Sequence, residues 1–148
     1  MKLRTSLAAA GAAVVLGTTG ALVLPAVASA HSGTHTLKFI AVQKATVSYS
    51  SSGVPLAIQE TDVNTANKPV GFDMLYITAT SPTSGTANVT VDTNGGFLYG
   101  TFNVNPKTGV ISNGKVTGGT GAFIGATGTI KAMTISSTKH AVTITYSG

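Results

Sequence analysis

Two carboxylates, Glu60 and Asp62, stand in a run of alternating residues, about Val54 to Asp62, that places Leu56 and Ile58 on the same face. A carboxylate on an otherwise apolar strand face, if that face points into a core, has its pKa raised by lost hydration and becomes a usable acid or base. Glu60 is the candidate for that role. The alternative is that both carboxylates sit solvated at the end of the run beside Asn64 to Pro69, and for Asp62 that is the simpler expectation. Tyr76 and Tyr99 each offer a phenol proton to a ligand oxygen, and Phe72 and Met74 share the Tyr76 face of their own run. These residues are the candidate ligand-binding set, against the alternative that the tyrosines simply bury a ring and leave the hydroxyl wet.

Other chemistries are poorly supplied. The chain has no cysteine, which removes thiol nucleophiles and thiolate metal sites. Its three histidines, His31, His35 and His140, have no short-range spacing that converges three or four ligands on zinc. No metal site is expected, although His31 at a new N-terminus leaves an amine-and-imidazole chelate with His35 as a further hypothesis. Gly109-Val110-Ile111-Ser112-Asn113-Gly114-Lys115-Val116 has the P-loop spacing, but Val116 occupies the position of the magnesium-binding hydroxyl and no helix follows. Gly119-Thr120-Gly121-Ala122-Phe123-Ile124-Gly125 is one residue too long for a dinucleotide fingerprint. No cofactor is implied.

The elements that position these residues begin after a leader. Lys2 and Arg4 precede an apolar stretch, Leu7 to Val27, and Ala28-Ser29-Ala30 forms a small-x-small cleavage site. Residues 1–30 therefore read as a signal peptide and residues 31–148 as a single secreted, extracellular domain with no membrane association after cleavage. Seven lysines against four carboxylates leave that domain at +3, spread along the chain, and Arg4, the only arginine, departs with the leader. A nucleic-acid partner, which calls for clustered basic residues and stacking aromatics, is not expected.

After Ala30 the periodicity is two, and Thr, Val, Ile, Ser and Gly suit strands better than helices. Strands are predicted over about 35–50, 54–62, 70–80, 86–92, 97–104, 110–117, 122–136 and 139–146. In the first, Leu37, Phe39, Ala41, Gln43, Ala45, Val47 and Tyr49 are expected to share one face. Asn94-Gly95 between apolar runs is the strongest hairpin signal. Eight strands with short loops and no helix to cover a face leave two exposed edges unless the sheet closes. The expected fold is all-β, an eight-stranded antiparallel up-and-down barrel, with a sandwich as the alternative.

The glycine-rich stretch sharpens that expectation. Val116-Thr117-Gly118-Gly119-Thr120-Gly121-Ala122-Phe123, followed by Gly125-Ala126-Thr127-Gly128, resembles the V-x-G-G-T-G-x-F/Y-x-G-A-x-G signature of the allene oxide cyclase and dirigent superfamily and of similar exported bacterial barrels. Lys68-Pro69-Val70-Gly71-Phe72-Asp73 is placed like that group's turn into its third strand, and Gly95 to Val104 is similar to its glycine-led fifth strand. The resemblance implies an eight-stranded barrel, often trimeric, with an apolar pocket in the barrel mouth. It further implies an apolar small-molecule partner held in the barrel lumen, whose cyclisation or coupling is steered without a cofactor. It carries no activity over by residue: dirigent pockets use aspartates and arginines, and the domain has no arginine. Glu60 matches the cyclase glutamate by analogy alone. The alternative function is a non-catalytic secreted structural or surface-interaction module.

Overall fold

The structure, a computed structural model, describes residues 33–49 and 55–148. The expected leader, His31 and the turn expected at 50–53 lie outside the described residues. Strands β1 (His35–Tyr49), β2 (Pro55–Val63), β3 (Pro69–Ser81), β4 (Ser84–Thr93), β5 (Gly96–Val104), β6 (Ile111–Gly119), β7 (Thr127–Ser136) and β8 (Lys139–Ser147) follow one another. Each pairs antiparallel with the next, and β1 also pairs with β8 from His35↔Tyr146 to Val42↔Lys139, closing the sheet. The up-and-down barrel expected from the strand count is thus the observed fold. Closure supplies a hydrogen-bonding partner for the strand edges that an open sheet would expose.

Period-two alternation sends one residue set inward. Phe39, Ala41, Leu75, Val89, Val91, Leu98, Phe102, Val116, Ile130 and Ile144 fill the interior. Burying Leu98 and Ile144, which are almost wholly shielded from water, contributes roughly 1.5–3 kcal/mol each. Two expectations need correction. The first strand does not keep one face inward along its length: the register slips between Gln43 and Ala45. A bulge of this kind reverses the alternation, and Val47 ends outside, 61% exposed. Nor does the seventh strand begin at Ala122. Gly121–Phe123 is instead a short 3-10 turn, with Phe123 buried, and β7 starts at Thr127.

That turn is the glycine-rich stretch at work. It folds back over the β4–β5 hairpin: the Phe97 N–H donates to Thr120 Oγ1 at 3.0 Å, and the Ala122 N–H donates to the Gly95 carbonyl at 2.9 Å. Gly121 adopts φ of 59° with the Gly95 carbonyl where a Cβ would stand, and a Cβ on Gly119 would meet the Phe97 carbonyl and the Phe123 side chain. The glycines are packing residues that let a capping turn lie on the barrel end. Gly121→Ala is expected to lower stability by roughly 1–3 kcal/mol through left-handed strain alone, with the steric contact added. Urea denaturation checks this, and an unchanged midpoint would contradict it.

Candidate functional site: a buried carboxyl cluster beneath an end cleft

The strand register assembles the site. Ala41 of β1 lies between His140 of β8 and Asp62 of β2, and Asp62 faces Gly71 of β3. One step along, Glu60 lies between Gln43 and Asp73. The small neighbours Ala41 and Gly71 leave space for the Asp62 carboxyl. Glu60, Asp62 and Asp73 are therefore all inside the barrel, at 5%, 2% and 3% exposure. His140 Nδ1 approaches Glu60 Oε1 at 3.9 Å, an ion pair when the imidazole is protonated.

Asp73 shares side-chain hydrogen bonds with both Asp62 and Glu60. Carboxyls hydrogen-bond one another only through a retained proton, and burial among neighbouring acids favours keeping it. Burial pushes Asp73 up to about 10, aided by the charges of Glu60 and Asp62 and by its bonds to both. Burial also raises Asp62, to about 7, with the nearby Glu60 charge adding to the rise while the hydrogen bond from Asp73 opposes it. One oxygen on each aspartate, Oδ1, has no hydrogen-bond partner in the protein. A buried, unpaired carboxyl oxygen is costly, so these atoms mark a place where the fold leaves hydrogen-bonding capacity unused.

Two spaces flank the cluster. Inside the barrel, Glu60, Asp73 and His140 join Phe39, Phe102 and other apolar side chains around a cavity of about 30 Å³, room for about one water. Outside it, Asp62 lines a cleft of about 450 Å³ at the barrel end, walled by Leu37, Val70, Ala122, Phe123 and Tyr146, with Lys38 and Asp92 also lining it. Phe39 and Val91 contribute to both spaces. The Tyr146 ring stacks on His35 at 5.3 Å and meets Phe123 edge-on at 5.4 Å, which stiffens one wall. Two further surface depressions among the described residues are lined mainly by Thr, Asn and Ser, with Lys115 in one of them.

The sequence-predicted residues divide sharply. Glu60 lies in the interior as its face pattern requires. Asp62, expected to be solvated at a strand end, is buried instead, because β2 continues to Val63 and the barrel closes around it. Phe72, Met74, Tyr76 and Tyr99 point to the outside of the barrel: Tyr76 is 55% exposed, and Phe72 and Tyr99 are exposed as well. They do not line the lumen, because β3 turns its other set, Asp73, Leu75 and Ile77, inward. Asp73 and His140 were the residues that sequence reasoning passed over. Their signal was period two: Asp73 alternates in phase with Leu75 and Ile77, and His140 with Val142 and Ile144. Among the described residues, no group of three or more His, Cys, Asp or Glu is arranged to hold a metal ion.

Comparison with known proteins finds no family model that matches the chain and no curated protein that matches it. The closed eight-stranded barrel agrees with the fold that the glycine signature implied; membership of the superfamily is a separate matter.

The raised aspartates set a direction for the pH dependence of stability. Their folded values lie above the ordinary value of 3.8, so between these limits the folded protein holds more protons than the unfolded chain. Stability contributed by these groups is complete below about pH 4. It is lost as pH rises through about 7 for Asp62 and onward to about 10 for Asp73. Thermal melts from pH 4.5 to 9 are expected to show a falling midpoint. Asp73→Asn, which keeps a donor and removes the group that ionises on unfolding, is expected to melt about 5 °C above the parent at pH 9, roughly 1 kcal/mol for a domain of this size. A parent protein that melts higher at pH 9 than at pH 5 would contradict the assignment.

Proposed function

We propose that this chain is an exported small-molecule-binding barrel that receives a largely apolar ligand in the end cleft, with the ligand's polar end directed at the buried carboxyls. The observation that carries the reading is the position of Asp62, which lines an apolar-walled cleft of ligand size while lying 2% exposed with an oxygen unpaired. Binding sites are typically concave and apolar with a few placed polar groups. The lumen beneath holds only about 30 Å³ of free space, so the bulk of the ligand occupies the cleft. Export rests on the leader pattern of residues 1–30. Likeness to the allene oxide cyclase and dirigent group rests on the glycine signature together with the barrel.

We read the same cleft as one that steers a cyclisation or coupling. A shaped cleft favours one folded conformation of the ligand. Of the three carboxyls Asp62 lines the cleft, while Asp73, holding its proton, and Glu60 stand behind it around the inner cavity and act on the ligand through Asp62. No cofactor enters this scheme. Native mass spectrometry of the protein purified from its own host is expected to show a co-purifying small molecule. The Glu60→Gln variant is expected to retain that molecule while losing at least tenfold in any turnover of it. Protein that carries no such molecule would count against the reading.

A second reading, a secreted structural or surface-interaction module, is favoured by the outer face. Across β3–β5 the outward rows place Phe72 and Phe97 on either side of Asp92, and Met74 and Tyr99 on either side of Thr90. With Tyr76 on the same face, this apolar surface is suited to a second copy of the chain, and a trimer is what the superfamily resemblance implies. Light scattering is expected to give a homo-oligomer. Tyr76→Lys combined with Tyr99→Lys should yield a folded monomer, and a monodisperse parent monomer would contradict it.

A further inference from the structure

We propose that the end cleft selects a small apolar amine, whose ammonium group docks on the Asp62 carboxylate with Asp73 behind it. The inference rests on the cleft reading above and names the ligand class. Asp62 is the inward-directed charged side chain among the cleft residues, and its Oδ1 has no donor within the protein. An ionised carboxylate accepts hydrogen bonds and donates none. The neighbouring strands spend their backbone N–H groups on the barrel ladder. A donor entering from the cleft meets Asp62 before Glu60 or Asp73, because Asp62 is the member of the cluster that lines it.

The charge inventory selects the kind of donor. Glu60 from β2 and Asp73 from β3 stand beside Asp62, and His140 from β8 is directed at Glu60 rather than at Asp62. Lys38 on β1 and Asp92 on β4 also line the cleft, but each belongs to an outward-facing row, and Tyr146 from β8 supplies a ring to the wall. Three interior carboxyls thus face one imidazole, with no lysine or arginine among them. An anionic ligand head would be repelled. A hydroxyl would bring one donor and no charge. An ammonium brings three donors and the opposite charge, and charge-assisted bonds of this kind are the stronger. The walls of Leu37, Val70, Ala122 and Phe123 fit the apolar remainder of the molecule.

The test compares tryptamine with tryptophol, which replaces the amine by a hydroxyl on the same indole-ethyl frame. Binding to the full mature protein is followed by NMR shift titration. Tryptamine is expected to bind at least tenfold more tightly than tryptophol at pH 7.5. Its affinity is expected to rise at least fivefold between pH 5.5 and 8, as Asp62 ionises, while tryptophol affinity stays flat. Calorimetry of the parent protein in buffers of different ionisation enthalpy should show proton release on tryptamine binding at pH 6.5. Asp62→Asn is expected to abolish both the amine preference and its pH dependence while tryptophol binding persists. Equal binding of the two probes, or an amine preference that survives in Asp62→Asn, overturns the amine assignment and leaves the cleft as a binding site. Failure of both probes to bind the parent overturns the amine assignment and the cleft reading together. The pH series and proton release on the parent protein decide the matter even if the variant does not fold.

Discussion

Pairing of the first strand with the last is the constraint on which this structure depends. Eight strands in a row make a sheet with two open edges; the β1–β8 ladder removes both. The same ladder turns one face of every strand into an interior. It brings His140, near the end of the chain, next to Ala41 and thereby within 3.9 Å of Glu60. Without closure Asp62 and Asp73 would be ordinary solvated residues of adjacent strands. With it they are forced into one another's company away from water.

That crowding gives the molecule its main electrostatic feature. A domain without disulfides depends on apolar packing of its small interior, yet this one devotes part of it to three carboxyls. Desolvation and mutual repulsion are relieved by retaining protons and sharing them through hydrogen bonds, and the Glu60–His140 contact brings a basic group to the cluster. The arrangement is poised rather than fully satisfied, because two carboxyl oxygens remain unpartnered. Buried polar groups of this kind concentrate at functional sites, and here they lie between a water-sized cavity and a ligand-sized cleft.

The glycine-rich stretch and the carboxyl cluster are linked through the barrel end. Gly119 and Gly121 allow the 3-10 turn to settle on the β4–β5 hairpin, and the turn carries Ala122 and Phe123 into the cleft wall. A stretch whose spacing invites comparison with phosphate-binding loops is therefore a piece of architecture. It shapes the site while contributing no charged group to it.

The alternation of residues along the chain was enough to specify strands, their approximate limits and the closed barrel, because period two and unprotected edges are local and additive signals. It also placed Glu60 with Leu56 and Ile58 on one face. Which face of a strand turns inward was a different question. On β3 both sets look plausible in isolation, Phe72, Met74 and Tyr76 against Asp73, Leu75 and Ile77, because a carboxylate in the second set argues for the outside and its two aliphatic side chains for the inside. Closure and register decided for the other one. The bulge after Gln43 likewise reversed the alternation over Ala45 to Val47, a change of phase that strict alternation has no means to announce. The sequence by itself determined the barrel; tertiary pairing across distant strands decided the site, because the environment of a carboxyl depends on neighbours that only a closed sheet brings together.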